Sequence, residues 1–120
     1  RIHYAELPRY ICIGDIFAMP SRSRLAGLEV EGLGIVYLEA SASGLPVLAG
    51  TSGGAPDAVK ENETGFVANG KDPKEIATKL LKLLKNAPLA KSFGETGRKW
   101  AEENWTWDIW AKKFEEILRI

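Results

Sequence analysis

Apolar residues fall into two kinds of run along this chain. Three runs are short and nearly unbroken: "DIFAMP" (residues 15–20), "PVLAG" (46–50) and "GFVAN" (65–69). Each ends at Pro, Gly or Asn, which predicts a short buried strand. Unbroken apolar strands, as opposed to alternating ones, belong to a parallel sheet covered on both faces. Between and after them the spacing turns helical. Short helices are predicted over 6–13 and, with Pro56 in its first turn, over 56–61. A longer one over 34–43 is stopped by Gly44. Three more follow at Pro73–Leu84, about 90–103 and Trp107–Leu118. Residues 21–31, "SRSRLAGLEVE", read as a long polar loop, and "TSGGAP" as a turn. Strands alternating with helices predict α/β architecture with a parallel sheet. Ligands of such sheets bind beyond the carboxyl ends of the strands, here the loops after "DIFAMP" and "PVLAG".

The stretch "VEGLGIVYLEA" lies at that crevice. Gly32 and Gly34 allow a sharp turn and close backbone approach to a ligand. The helix that begins there presents unpaired N–H groups and a partial positive charge, an anion site suited to phosphate. Glu31 precedes it and Glu39 lies in its second turn. Carboxylates accept hydrogen bonds from hydroxyls. Eight residues at helical rise span about 12 Å, which suits two hydroxyl-bearing groups with phosphates between them, as in a nucleotide sugar. The plain alternative, two glutamates on a solvated helix face, fits less well among apolar and glycine neighbours.

Composition narrows the picture. With 120 residues and 45% hydrophobic content the chain builds one domain with a core. Sixteen basic residues balance sixteen acidic ones, so no net basic field points to nucleic acid. One cysteine, Cys12, rules out an internal disulfide framework and fits a cytoplasmic location; its expected place is the core. No apolar run reaches membrane-span length, and "RIHYAELPRY" has no secretory apolar segment. Opening without Met, almost directly in a helix-like segment, the chain is expected to be a piece of a longer protein.

"EGLGIVYLEASASGLPVLAG", followed by "TSGGAPDAV", "TGFV" and a late "WTW", resembles the donor-side lobe of GT-B glycosyltransferases of family 4. Their signature is two glutamates separated by seven residues, here Glu31 and Glu39, with Glu-Gly-x-Gly at its start. Among members, the likeness is greatest to the phosphatidylinositol mannoside mannosyltransferases, which use GDP-mannose. The resemblance implies a partial Rossmann-like sheet, strands 4, 5 and 6 of that lobe, with flanking helices and a helical C-terminus. It implies a retaining hexosyl transfer from a nucleotide sugar (GDP-mannose or a UDP-sugar) to a lipid or glycan acceptor, with no metal and no other cofactor. Glu31 would orient the donor sugar and Glu39 the ribose. Backbone amides around Gly32, Leu33, Gly34 and Ile35 would face sugar and diphosphate, and Arg1 and Ile2 would line the base. The family's diphosphate-binding Arg and Lys, and its acceptor lobe, have no counterpart here. Peripheral membrane association of the whole protein and self-association of this piece are the corresponding expectations.

Other features invite weighing. Arg22 and Arg24 flank the crevice, where they would touch phosphate or an anionic acceptor lipid, or simply be solvated. Ser52, Gly53 and Gly54 would either approach the donor or make a tight turn. His3 has no partner at catalytic spacing. "KLLKLLK" (79–85) suits a helix covering a sheet, with Ile76, Leu80, Leu83 and Leu84 inward, better than a membrane-surface helix. The four tryptophans near the last helix suggest packing more than a sugar platform. A dinucleotide-dependent oxidoreductase would need a third glycine that "GLGIVY" lacks. A non-enzymatic interaction domain of the same fold stays open.

Overall fold

The computed structural model describes residues 2–119. Three strands, β1 (Phe17–Met19), β2 (Val47–Gly50) and β3 (Gly65–Ala68), form one sheet in the order β1-β2-β3. Both pairings are parallel, with Phe17 opposite Val47, and Leu48 opposite Ala18 and Phe66. This is the predicted contiguous half-sheet, with β1 shorter than expected. Asp15 and Ile16 belong instead to the approach from α1 (Leu7–Ile11). The predicted first helix is itself divided, a 3-10 turn at Tyr4–Glu6 leading into α1. Pro8 in the first turn of α1 suits a helix start, where its missing N–H costs nothing.

Because side chains alternate along a strand, β2 feeds two cores. Val47 and Ala49 join Tyr37, Leu38, Ala40, Ala55 and Ala58 on one face. Leu48 joins Phe66, Ala68, Leu83 and Phe93 on the other. The first face is covered by α2 (Ile35–Ala42), the second by α3 (Pro73–Leu84) and α4 (Ala87–Asn104). In α3, Ile76, Leu80 and Leu83 pack inward as expected, whereas Leu84 is exposed. Helix α4 begins three residues earlier than predicted. The Asn86 side chain accepts from Leu89 N at 3.1 Å and caps it, with Pro88 in the first turn. Residues 56–61 form no α-helix; a 3-10 turn at Ala55–Ala58 stands there.

Cys12 is exposed, not in the core. It caps α1 just past Ile11, the residue that packs on the first core. The tryptophans divide. Trp100 and Trp105 pack against the first core, and Trp105 stacks on Trp110 at 5.3 Å between ring centroids. Trp107 and Trp110 are exposed on α5 (Trp107–Leu118), which buries none of its residues. Among the described residues, no helix is long and apolar enough to cross a membrane.

Candidate functional site

The loops after β1 and β2 meet over the start of α2, at the carboxyl ends of the strands. Gly34 is the N-cap of α2 at φ +75°, a left-handed conformation, and no side chain caps the helix there. A Cβ at this position would also collide with the Tyr37 ring and sit 3.6 Å from the Glu31 carboxyl carbon. Both constraints demand glycine. The first amides of α2 therefore stay open at a positive helix end.

The Glu31–Gly32 backbone is held from beneath. Ser52, fully buried, accepts a hydrogen bond from Glu31 N–H at 3.0 Å. Gly54 N–H donates to Gly32 C=O at 2.8 Å. A side chain at Gly53, itself at φ +53°, would strike the Glu31 carbonyl, so the "SGG" turn fits only without one. Ser52, Gly53 and Gly54 thus clamp the glutamate loop. The 3-10 turn Ala55–Ala58 anchors the clamp in the first core.

Tyr37 is the strut beneath α2. Its hydroxyl donates to Met19 C=O at 2.7 Å and lies 2.9 Å from Ser21 Oγ. Burial pushes its phenol above the ordinary value; the Ser21 hydrogen bond opposes this, and the nearby Glu31 charge adds to it. The end of β1, the helix start and Glu31 are thereby fixed to one another.

Glu31 and Glu39 are both half-buried but face different surroundings. Because the helix begins only at Ile35, Glu31 lies on the loop, and the helical estimate of their spacing does not apply. Glu39 lies on the flank of α2, where Tyr4 Oη donates to Oε1 at 3.3 Å. It lines a largely apolar cavity of about 770 Å³ with Tyr4, Leu33, Ile35, Trp107 and Trp110. Arg22 and Arg24 line another cavity, described below, and Arg24 pairs with Glu29 at 3.5 Å. His3 accepts from Ala5 N–H and caps the 3-10 turn at Tyr4–Glu6. Arg1 lies outside the described residues. Sequence reasoning missed Tyr4 and Tyr37, whose partners are 35 and 18 residues away. Lys71, which lines the second cavity, was not singled out either, although a cation just past the carboxyl end of β3 is a usable signal.

The three-stranded parallel half-sheet with its flanking helices is that of a GT-B fold. The chain belongs to the glycosyl transferases group 1, whose family model matches residues 1–100. It is 48% identical over 114 residues to a GDP-mannose-dependent alpha-(1-6)-phosphatidylinositol monomannoside mannosyltransferase of Mycobacterium tuberculosis. That match covers 95% of this chain and 30% of the relative. It is 44% identical to a GDP-mannose-dependent monoacylated alpha-(1-6)-phosphatidylinositol monomannoside mannosyltransferase of Corynebacterium glutamicum, over 99% of this chain and 31% of that protein. Among solved structures, sucrose-phosphate synthase from Thermosynechococcus elongatus superposes with a TM-score of 0.87 at 26% identity, over 99% of this chain and 28% of that one. The chain thus spans about a third of the length of the curated relatives it matches.

Proposed function

We propose that the protein containing this chain transfers mannose, with retention, from GDP-mannose to a phosphatidylinositol mannoside, working at a membrane surface. The observation that carries this reading is the pairing of an uncapped helix N-terminus with Glu39 on the wall of an adjoining apolar cavity. Open amides at Ile35 and Val36 suit a diphosphate, and apolar walls with one carboxylate suit a nucleoside. Glu39 would accept hydrogen bonds from the ribose hydroxyls, with Tyr4 steadying it. Glu31, its backbone N–H held by Ser52 and its carboxylate without a partner among the described residues, would orient the mannose. Neither is cast as a proton-transfer catalyst. Catalysis would come from stabilising the departing diphosphate, with cations from beyond this chain completing its neutralisation. The relatives named above supply the donor and the acceptor class.

Calorimetry on the full-length protein tests the two roles separately. Glu39→Gln is expected to weaken GDP binding by about 1.5–3 kcal/mol, the range for hydrogen bonds to a charged group. Glu31→Gln is expected to leave free GDP affinity intact and lower the rate of mannose transfer. Unchanged GDP affinity in a folded Glu39→Gln protein would remove Glu39 from the ribose site.

A further inference from the structure

The loop after β1 crosses the carboxyl ends of the other two strands. Its Ser21 backbone passes so close to Gly50 that a side chain there would strike it, and Pro20, Ser21 and Arg22 crowd Gly70 in the same way. Arg22 is thus brought beside the turn after β3, next to Lys71. Beyond it the chain closes a small hairpin. Arg24 N–H donates to Glu29 C=O at 2.9 Å, and Glu29 N–H to Arg24 C=O at 3.2 Å. Leu25 and Ala26 in its tip adopt φ of +49° and +53°, a region that residues other than glycine rarely adopt. A cavity of about 500 Å³ opens here, lined by Arg22, Ser23, Arg24, Leu25, Ala26 and Lys71.

Two properties of this cavity decide what it suits. Glu29 neutralises Arg24, whereas Arg22 and Lys71 take part in no ion pair among the described residues. On the same cavity wall Leu25 is 63% exposed, and Leu28 in the same hairpin is 86% exposed. A nucleotide diphosphate would satisfy the cations but offer nothing to the leucines. A phospholipid offers both, a phosphodiester above an apolar layer. The cavity is also tied to the glutamate loop, since Ser23 Oγ lies 3.0 Å from Ser52 Oγ, which holds Glu31 N–H.

We infer that Arg22, Lys71 and the hairpin of residues 24–29 bind the headgroup phosphodiester of an anionic inositol phospholipid, seating the lipid beside the donor loop. This rests on the lipid-acceptor reading above. The test uses the full-length protein and three probes: vesicles of phosphatidylinositol in phosphatidylcholine, vesicles of phosphatidylcholine alone, and soluble glycerophosphoinositol. Co-sedimentation of Arg22→Ala/Lys71→Ala with the phosphatidylinositol vesicles is expected to fall about tenfold or more, from the loss of two cations at an anionic surface. Binding to phosphatidylcholine alone is expected to be weak in both proteins. Arg22→Lys, which keeps the charge, is expected to retain most of the binding. Calorimetry with GDP on the double variant checks the fold and is expected to give the wild-type affinity. Undiminished vesicle binding by the double variant overturns the inference. So does a matching loss of GDP affinity, which would assign the cations to the donor. Binding of glycerophosphoinositol as tight as that of the vesicles overturns the lipid in favour of a free phosphodiester. Vesicle binding needs no turnover, so a protein that binds lipid through these residues yet transfers no mannose refutes the function above and leaves this site standing.

Discussion

Tyr37 shows how one side chain holds the site together, and its removal can be predicted from its partners. Tyr37→Phe loses the hydrogen bond to Met19 C=O and the contact with Ser21 Oγ while keeping the ring that packs beneath Gly34. A typical net hydrogen bond contributes about 1 kcal/mol, so a loss of about 1–2 kcal/mol is expected near neutral pH. The pH dependence has a definite sign. Burial raises the Tyr37 phenol above its ordinary 10.0, so the neutral form is favoured in the folded state. Its contribution is complete below that ordinary value and is lost as pH rises through the raised folded value. The urea-midpoint gap between wild type and Tyr37→Phe, measured on the full-length protein, should therefore hold steady at lower pH and narrow as pH is taken upward from the ordinary value of 10.0. A gap that stays constant above that value would show that the phenol is not perturbed. This residue was illegible in the sequence, where Tyr37 is one apolar position of a helix. Its partners come from the end of β1 and the loop after it, and only the fold joins them. Glu31, Gly34 and Glu39 were legible because a loop entering a helix is a local event. Cys12 was misplaced because residue type alone says nothing about where a short helix stops packing.

Among the elements, the two borders of the sheet are finished differently. On β3 the outward backbone groups of Val67 are met by side chains: Lys79 Nζ donates to its carbonyl, and its N–H donates to Glu61 Oε2 at 2.5 Å. Lys79 is held in turn by Glu75 at 2.9 Å and Glu61 at 3.6 Å. The Lys79 hydrogen bond, then the Asn69 N–H, lower the Glu75 pKa. This border is closed in the way natural sheets protect an edge. Lys79→Met keeps the apolar stem but strands the Val67 carbonyl and frees two glutamates; it should cost about 1–2 kcal/mol. Faster hydrogen exchange at the Val67 amide, with that at Leu48 unchanged, would localise the effect to the edge. The strands and α3 could be read in advance because their signals lie within each segment. The edge network could not, since Glu61 and Lys79 look like ordinary solvated charges until β3 lies between them. The same holds for the bridge from Arg24 to Glu29 inside what reads as a plain loop.

At the scale of the whole molecule, the other border and the last helix leave surface uncovered. Phe17 N–H is spent on Pro46 C=O, at 3.0 Å. The alternation of a parallel ladder then turns the backbone groups of Ala18 away from β2. Ala18 is exposed, and no side chain among the described residues caps it as Glu61 and Lys79 cap Val67. Helix α5 adds exposed Trp107, Phe114, Ile117 and Leu118. An apolar, uncapped edge strand is a template for another chain, and apolar patches of this kind are rarely left open on a monomer. We therefore expect these 120 residues, expressed alone, to self-associate at micromolar concentration through residues 16–19 and the α5 face. Ala18→Lys at the edge should oppose pairing by charge, and Phe114→Glu with Ile117→Lys should reduce the contribution of the helix. Sedimentation velocity distinguishes the routes. If Ala18→Lys alone restores a monomer, the edge dominates; if only the α5 changes do, the helix dominates. Nucleotide affinity, measured on whichever variant is monomeric, is expected to be far below that of the full-length protein, because the cations proposed to complete the diphosphate site come from beyond this chain. A folded wild-type monomer binding GDP as tightly as the full-length protein would overturn both expectations. It would then follow that the open edge is tolerated and that the helix N-terminus with Glu39 suffices for the donor.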